Sequence, residues 1–204
     1  MKLLCTKVFL VISLVSFCLC PIVSADVETG AVAPAFTLTS IRGSEVSLAD
    51  HAGKIVVLEW TNYDCPFVKK HYSSGNMQAL QTEAAASGVV WISINSSAAG
   101  KQGHYTPEQW SGRAEEQGVT AADILLDPDG SVGRAYGAKT TPHIFIIDGA
   151  GKVVYQGAID DKPTADPADI ASSKNYVRQA LGELAAGQPV SESATQAYGC
   201  SVKY

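Results

Sequence analysis

The stretch Trp60 to Tyr72, W-T-N-Y-D-C-P-F-V-K-K-H-Y, constrains the fold more than any other part of the chain. It follows an apolar run, Ile55-Val56-Val57-Leu58, that reads as a buried strand, and it continues as a helix. Cys65 stands at the junction with Pro66 behind it. Proline suits the first helical position, because the N–H it lacks would be unpaired there. Cys65 therefore falls at the N-cap. A sulfur at that place faces free backbone N–H groups and the positive end of the helix dipole, and both favour thiolate, the reactive form. Lys69, one turn on, adds to this, and the neighbouring Asp64 works against it. A lone cysteine is more commonly a small buried apolar residue. The strand–Cys-Pro–helix setting favours a redox or nucleophilic one.

Compartment follows from the first 25 residues. Lys2 and Lys7 precede an apolar run from Val8 to Cys20, and Val23-Ser24-Ala25 places small residues at the two cleavage-specifying positions. This is the pattern of a secretory signal peptide cleaved after Ala25. The apolar run is short for a membrane span of about 20 residues, so no stable membrane insertion is expected after cleavage. Leu19 before Cys20 fits a lipoprotein site poorly. The chain of 204 residues suits one domain. It divides into a signal peptide at 1–25, a folded domain at 26–190 and a tail at 191–204 that carries Cys200. Export would place the mature chain in the periplasm or outside the cell.

Cleavage removes Cys5, Cys18 and Cys20 and leaves Cys65 and Cys200, an even pair open to disulfide formation in an exported protein. Loss of Lys2 and Lys7 leaves 13 basic against 20 acidic residues, a net charge of -7. That balance argues against nucleic acid or an anionic membrane as partner.

Along the mature chain, Ala35 to Thr39 alternates as a half-buried strand does, and Val46 to Leu48 is a short return strand before a small helical turn. Lys54 to Trp60 is the first strongly apolar strand. The helix after Cys65 reaches Ala86, with an interruption possible at Ser73-Ser74-Gly75-Asn76. Val89 to Asn95 is the next strand, and a helix opens at Thr106-Pro107-Glu108-Gln109. Then come a strand at Ala122 to Leu126, a short helix at Ser131 to Tyr136, and a hairpin of His143–Asp148 with Val153–Ala158. A last helix is expected from Asp166 to Ala186. Strands alternating with helices imply an α/β sheet covered on both faces, and the closing hairpin makes it mixed.

This order, with Cys65 at the head of its helix and Thr141-Pro142 before the hairpin, resembles the thioredoxin superfamily over about residues 30 to 190. More narrowly, W-T-N-Y-D-C-P-F-V-K-K-H-Y, G-N-M-Q, W-I-S-I-N-S-S, T-T-P-H and Y-G-C-S-V-K-Y together resemble a secreted, peroxiredoxin-like (AhpC/TSA-related) group of redoxins. The resemblance implies a thioredoxin-like three-layer sandwich. It implies a cis Pro142 whose loop lies against the Cys65 sulfur, with Thr141 and His143 beside it. Two departures matter. Thioredoxin has C-x-x-C, and Val68 takes the second cysteine's place here. Peroxiredoxins resemble P-x-x-x-T-x-x-C, and here Leu58 and Asn62 stand at the proline and threonine positions, with Thr61 one residue off. No arginine clearly matches the one that polarises peroxide; Arg134 is the nearest candidate. Efficient peroxide reduction is therefore not expected.

The remaining constellations are weaker. His143, after Pro142, would come near Cys65 if that loop packs there, giving a thiolate–imidazole pair. His71 is more than a turn from Cys65. No spacing matches a zinc signature, and no metal or cofactor is expected. Asp160-Asp161 reads as a solvated loop end. The leading reading is an exported thiol-dependent oxidoreductase. Cys65 is its attacking thiolate, Pro66 and Pro142 shape the site, and Cys200 on a mobile tail is the candidate resolving cysteine. Its partners would be protein disulfides or small oxidants, with an unidentified thiol reductant to recycle it. Two alternatives stay open: a thiol peroxidase using the same two residues, and a non-enzymatic domain stapled by a structural Cys65–Cys200 disulfide. The chain-entropy estimate credits a loop of that length with about 4–5 kcal/mol.

Overall fold

A computed structural model describes residues 26–204, so the leader and its cleavage point after Ala25 lie outside the described residues. The N-terminal hairpin is β1 (Thr37–Ser40) and β2 (Glu45–Ser47), followed by a 3₁₀ turn over Leu48–His51 that Ser47 caps. The central unit runs β3 (Val56–Trp60), α1 (Pro66–Ser73), α2 (Asn76–Ala86), β4 (Val90–Asn95), α3 (Pro107–Glu116), β5 (Asp123–Leu126) and α4 (Ser131–Tyr136). Next come the two-residue β6 (Thr140–Thr141), the hairpin β7 (His143–Ile147) and β8 (Val153–Gly157), α5 (Tyr176–Ala185) and β9 (Cys200–Ser201).

Seven strands form one sheet in the order β2-β1-β5-β4-β3-β7-β8. The pairs β3–β4 and β4–β5 are parallel, and every other pair is antiparallel, so the sheet is mixed as expected. Strand side chains alternate between faces, and this divides the apolar runs into two cores. Val57, Trp91, Ile144 and Ile146 pack with α1, α2, α3 and α5, whereas Leu58, Trp60, Ile92 and Phe145 pack with α4 and the N-terminal segment. Trp60 is fully buried, with its ring 5.3 Å from Tyr136 and 5.2 Å from Phe145. Helices thus cover both faces, and β3, an inner strand between β4 and β7, carries its chain outward to Cys65.

The interruption allowed after Cys65 is real. Gly75, at φ 75°, caps α2 in a left-handed conformation and separates it from α1. Three expectations are corrected. The single last helix is instead a 3₁₀ helix at Pro167–Ser172 and a separate α5. Asp166 caps the first as expected, but Asn175 caps the second, because Lys174 exchanges bonds with Asp161 and Tyr176 N–H donates to Ile159 O, which sets Asn175 opposite Asp160 in an isolated bridge. Asp160 is buried, not solvated. The tail is not mobile but docked: β9 pairs with β6 in the register Thr140↔Ser201 and Thr141↔Cys200. Among the described residues no helix is long and apolar enough to cross a membrane.

Candidate functional site

The turn between β3 and α1 is built from its own side chains. Thr61 N–H donates to Ile94 O, which keeps the chain on the sheet for one residue past β3. Asn62 then closes the turn: its side-chain oxygen accepts from Asp64 N–H at 3.0 Å and its carbonyl from Cys65 N–H at 2.9 Å. Its amide reaches Gln102 O at 3.3 Å. Cys65 arrives at the N-cap of α1 in extended geometry, with Pro66 in the first turn. The N-cap position is the expected one, but the thiol forms no bond to the free helix N–H groups. It turns toward the β6 loop, donating to Thr141 O at 3.1 Å. The Thr141–Pro142 peptide is cis.

The tail supplies the other wall. Cys200 lies opposite Thr141, and its Sγ is 2.7 Å from that of Cys65, both cysteines being free thiols. Cys65 is fully buried and Cys200 is partly exposed. The Cys200 thiol is pushed up to about 12, by burial first and then by the hydrogen bond and charge of Cys65. It is a neutral thiol at ordinary pH. The tail is fixed on both sides of Cys200. Beyond it, Val202 N–H donates to Lys139 O and Tyr204 OH to Ala138 O at 2.8 Å. Before it, Thr195 bonds to Gln156 and Tyr155 on β8.

Asp64, expected to oppose a thiolate, is engaged elsewhere. Arg113 lies 2.9 Å from its carboxylate and Tyr105 OH donates to it. Lys69 is exposed. His143 does not meet Cys65. It pairs across the strands with Trp60 and stacks on Phe145 at 4.5 Å, on the opposite face of the sheet from the α1 core. Its Nδ1 accepts from Lys139 N–H, and burial pushes it down to about 4, so the imidazole is neutral. Strand alternation is the reason. Arg134 stands over the Tyr204 ring and donates to Asp129 O.

Two clusters were not singled out from the sequence. Glu59 is fully buried on β3 and faces the α1 core. Tyr72 OH, Trp91 Nε1 and Ser93 Oγ donate to its carboxyl at 3.1, 2.9 and 3.1 Å. Burial raises its pKa against those hydrogen bonds. The signal was present as an acid inside the run V-V-L-E-W. The second cluster is Lys70, Asp160 and Tyr198. Lys70 and Asp160 have fully buried side chains, with Nζ 3.2 Å from Oδ2. Lys70 sits in a charged Lys69-Lys70 pair, and nothing in that pattern says which lysine turns inward. Among the described residues no group of three or more His, Cys, Asp or Glu side chains is placed to hold a metal.

A mixed sheet with helices on both faces, a cysteine at the head of the first long helix and a cis-proline loop against its sulfur define a thioredoxin-fold protein. The chain belongs to the AhpC/TSA family, whose model matches residues 29–156. It is similar to an uncharacterized conserved protein from Geobacillus kaustophilus, at 32% identity and TM-score 0.73 over 87% of this chain and 92% of that one. A hypothetical protein from Sinorhizobium meliloti 1021 is 25% identical, TM-score 0.73, over 88% and 96% of the two chains. The thioredoxin domain of a thiol-disulfide oxidoreductase from Bacteroides vulgatus is 25% identical, TM-score 0.52, over 64% and 89%. No curated protein matches the chain at a significant level.

Proposed function

We propose that this protein is an exported thiol–disulfide oxidoreductase in which Cys65 attacks and Cys200 resolves. The observation that carries the reading is the 2.7 Å approach of the two thiols beside the Thr141–Pro142 loop. The Cys65 thiolate attacks one sulfur of a substrate disulfide, forming a mixed disulfide and releasing the other sulfur as a thiolate. Cys200 then attacks the Cys65 sulfur. A Cys65–Cys200 bond forms, the mixed disulfide breaks, and the Cys200 proton goes to the departing thiolate. Two electrons have passed from the protein dithiol to the substrate, and an external dithiol reductant resets the pair. The elevation of Cys200 favours this order. Two of its causes, the hydrogen bond and charge of Cys65, vanish once Cys65 is in a mixed disulfide, so Cys200 becomes a better nucleophile at the step that needs it. Protein disulfides are the substrate class, consistent with the oxidoreductase domain of similar fold from Bacteroides vulgatus. Export rests on the leader in residues 1–25 and places the protein in the periplasm or outside the cell.

Family membership supports a second reading, a thiol peroxidase. A peroxide would transfer one oxygen to the Cys65 thiolate, leaving as an alcohol or water, and Cys200 would condense with the sulfenic acid to give the disulfide and water. Leu58 and Asn62 at the positions noted above make it the slower chemistry. The test is non-reducing peptide mapping of the mature chain after oxidation, with a redox titration of the Cys65/Cys200 couple. An intramolecular Cys65–Cys200 peptide that a thiol reductant reopens is expected. Two free thiols, or only Cys200–Cys200 links between chains, refutes the resolving role. A bond that no dithiol reopens in the folded protein identifies a structural staple instead.

A further inference from the structure

We propose that Tyr198 is a latch: a positioning residue whose hydroxyl, held by the buried Lys70–Asp160 pair, keeps the tail closed over Cys65 and presents Cys200 to it. The resolving half of this inference rests on the function proposed above; the covering half does not. Tyr198 stands two residues before Cys200. Its hydroxyl donates to Asp160 Oδ1 and accepts from Lys70 Nζ at 3.2 Å. His71 Nε2 lies 3.4 Å away. His71 Nδ1 accepts from the Asn76 amide at 2.9 Å, which leaves the Nε2 proton for the tyrosine oxygen. The one hydroxyl thus meets three buried groups, and its ring packs edge-on to Phe67 at 5.9 Å. Phe67, Lys70 and His71 all belong to α1, the helix that Cys65 caps. Latch and sulfur are carried by one rigid element.

The holder is complete without the tail except for the tyrosine. Lys70 donates to Lys162 O at 2.7 Å and to Asp160, and Asp160 accepts from Lys162 N–H at 3.0 Å. An ammonium has three protons to place, and the third goes to Tyr198. When the tail lifts, the ion pair keeps its main partners, so the holder persists, yet two donors, on Lys70 and His71, and one acceptor site on Asp160 lose their partner. Hydrogen bonds to buried charged groups are stronger than neutral ones, and leaving such groups unmatched is unfavourable. This biases the tail toward closure. Cys65 is fully buried with the tail in place, so a substrate reaches it only when the tail lifts. The latch therefore sets two quantities in opposite senses: it slows the first attack and strengthens ring closure.

Tyr198→Phe separates these effects, since it keeps the ring against Phe67 and removes only the hydroxyl. In a Cys200→Ser background, alkylation of Cys65 by iodoacetamide is expected to be about tenfold faster in the variant. With both cysteines present, the equilibrium constant for Cys65–Cys200 closure, read in dithiothreitol redox buffers, is expected to fall by less than about tenfold, because the latch also holds the reduced tail closed and that part cancels; the shift is below about 30 mV toward a more oxidising couple. A purely structural residue would not move the two readings in opposite directions. Rates and equilibria within twofold of the parent would overturn the latch. If the parent forms no Cys65–Cys200 disulfide but Tyr198→Phe still exposes Cys65, the covering role stands and the resolving function of Cys200 falls. If the disulfide forms and neither reading moves, the latch alone is wrong. Should Tyr198→Phe unfold at assay temperature, the same two readings taken on it in the cold carry the test.

Discussion

Replacing Gly199 by alanine should undock the tail while leaving the domain folded. Gly199 has φ 143°, a conformation that side-chain-bearing residues rarely adopt. A Cβ built on it would lie 2.1 Å from Thr141 O and 2.8 Å from Thr141 C. Ordinary contacts there begin near 3.4 Å, so the tail must retreat by more than an ångström from backbone that cannot yield. Unfavourable φ alone costs about 1–3 kcal/mol. Losing one or two of the β6–β9 hydrogen bonds adds roughly 0.5–1.5 kcal/mol each. A penalty of about 2–4 kcal/mol on the docked state corresponds to a closing equilibrium weaker by roughly 30- to 1,000-fold, at about 1.4 kcal/mol per decade. The couple should then shift by about 45–90 mV. The assay is equilibration in dithiothreitol buffers, acid quench, alkylation and counting of modified thiols. Gly182→Ala is the control: it lies in α5 with open space around its Cβ, and should leave the potential unchanged while stabilising by about 0.5–1 kcal/mol. A Gly199→Ala potential within about 15 mV of the parent, with the disulfide formed, would refute the argument that close approach at Thr141 presents Cys200.

Cys65→Ser should abolish disulfide reduction, whereas Cys200→Ser should keep the first attack and block recycling; an equal single-turnover loss in both contradicts the division of roles. Asp160→Asn should destabilise the domain by about 3–5 kcal/mol in urea unfolding, because it strands a fully buried Lys70, and Lys70→Met added to it should recover a large part of the loss. Glu59 has a raised folded pKa, so the folded state holds more protons than the unfolded chain above the ordinary glutamate pKa of about 4.3. The contribution of Glu59 to stability should be greatest below that pH and be lost as pH rises through the folded pKa. The parent-minus-Glu59→Gln difference curve should show this limb, and a flat difference rejects it. Stopped-flow oxidation by hydrogen peroxide should be slower than in dedicated peroxiredoxins, and a matching rate would make peroxidase the leading function.

The sequence by itself determined the layered α/β fold, the succession of strands and helices along the chain and the position of Cys65 at a helix start. These follow from apolar periodicity and proline placement, which act over a few residues. Thr141-Pro142 was legible through family resemblance, and Cys200 as a candidate partner for Cys65 through the elimination of other cysteines. Only the tertiary structure decided what surrounds those sulfurs. Cys65 and Cys200 are 135 residues apart, and no local rule says that the tail adds a strand to β6. His143 follows Pro142, yet the register of β7 against β3 sends it to the far face. Lys70 reads like its neighbour Lys69, but α1 turns one into water and the other onto Asp160. That choice depends on which helix face meets the sheet and on a carboxylate 90 residues away. Burial of a charge is settled by long-range packing and by the partners it finds there, and a sequence window contains neither.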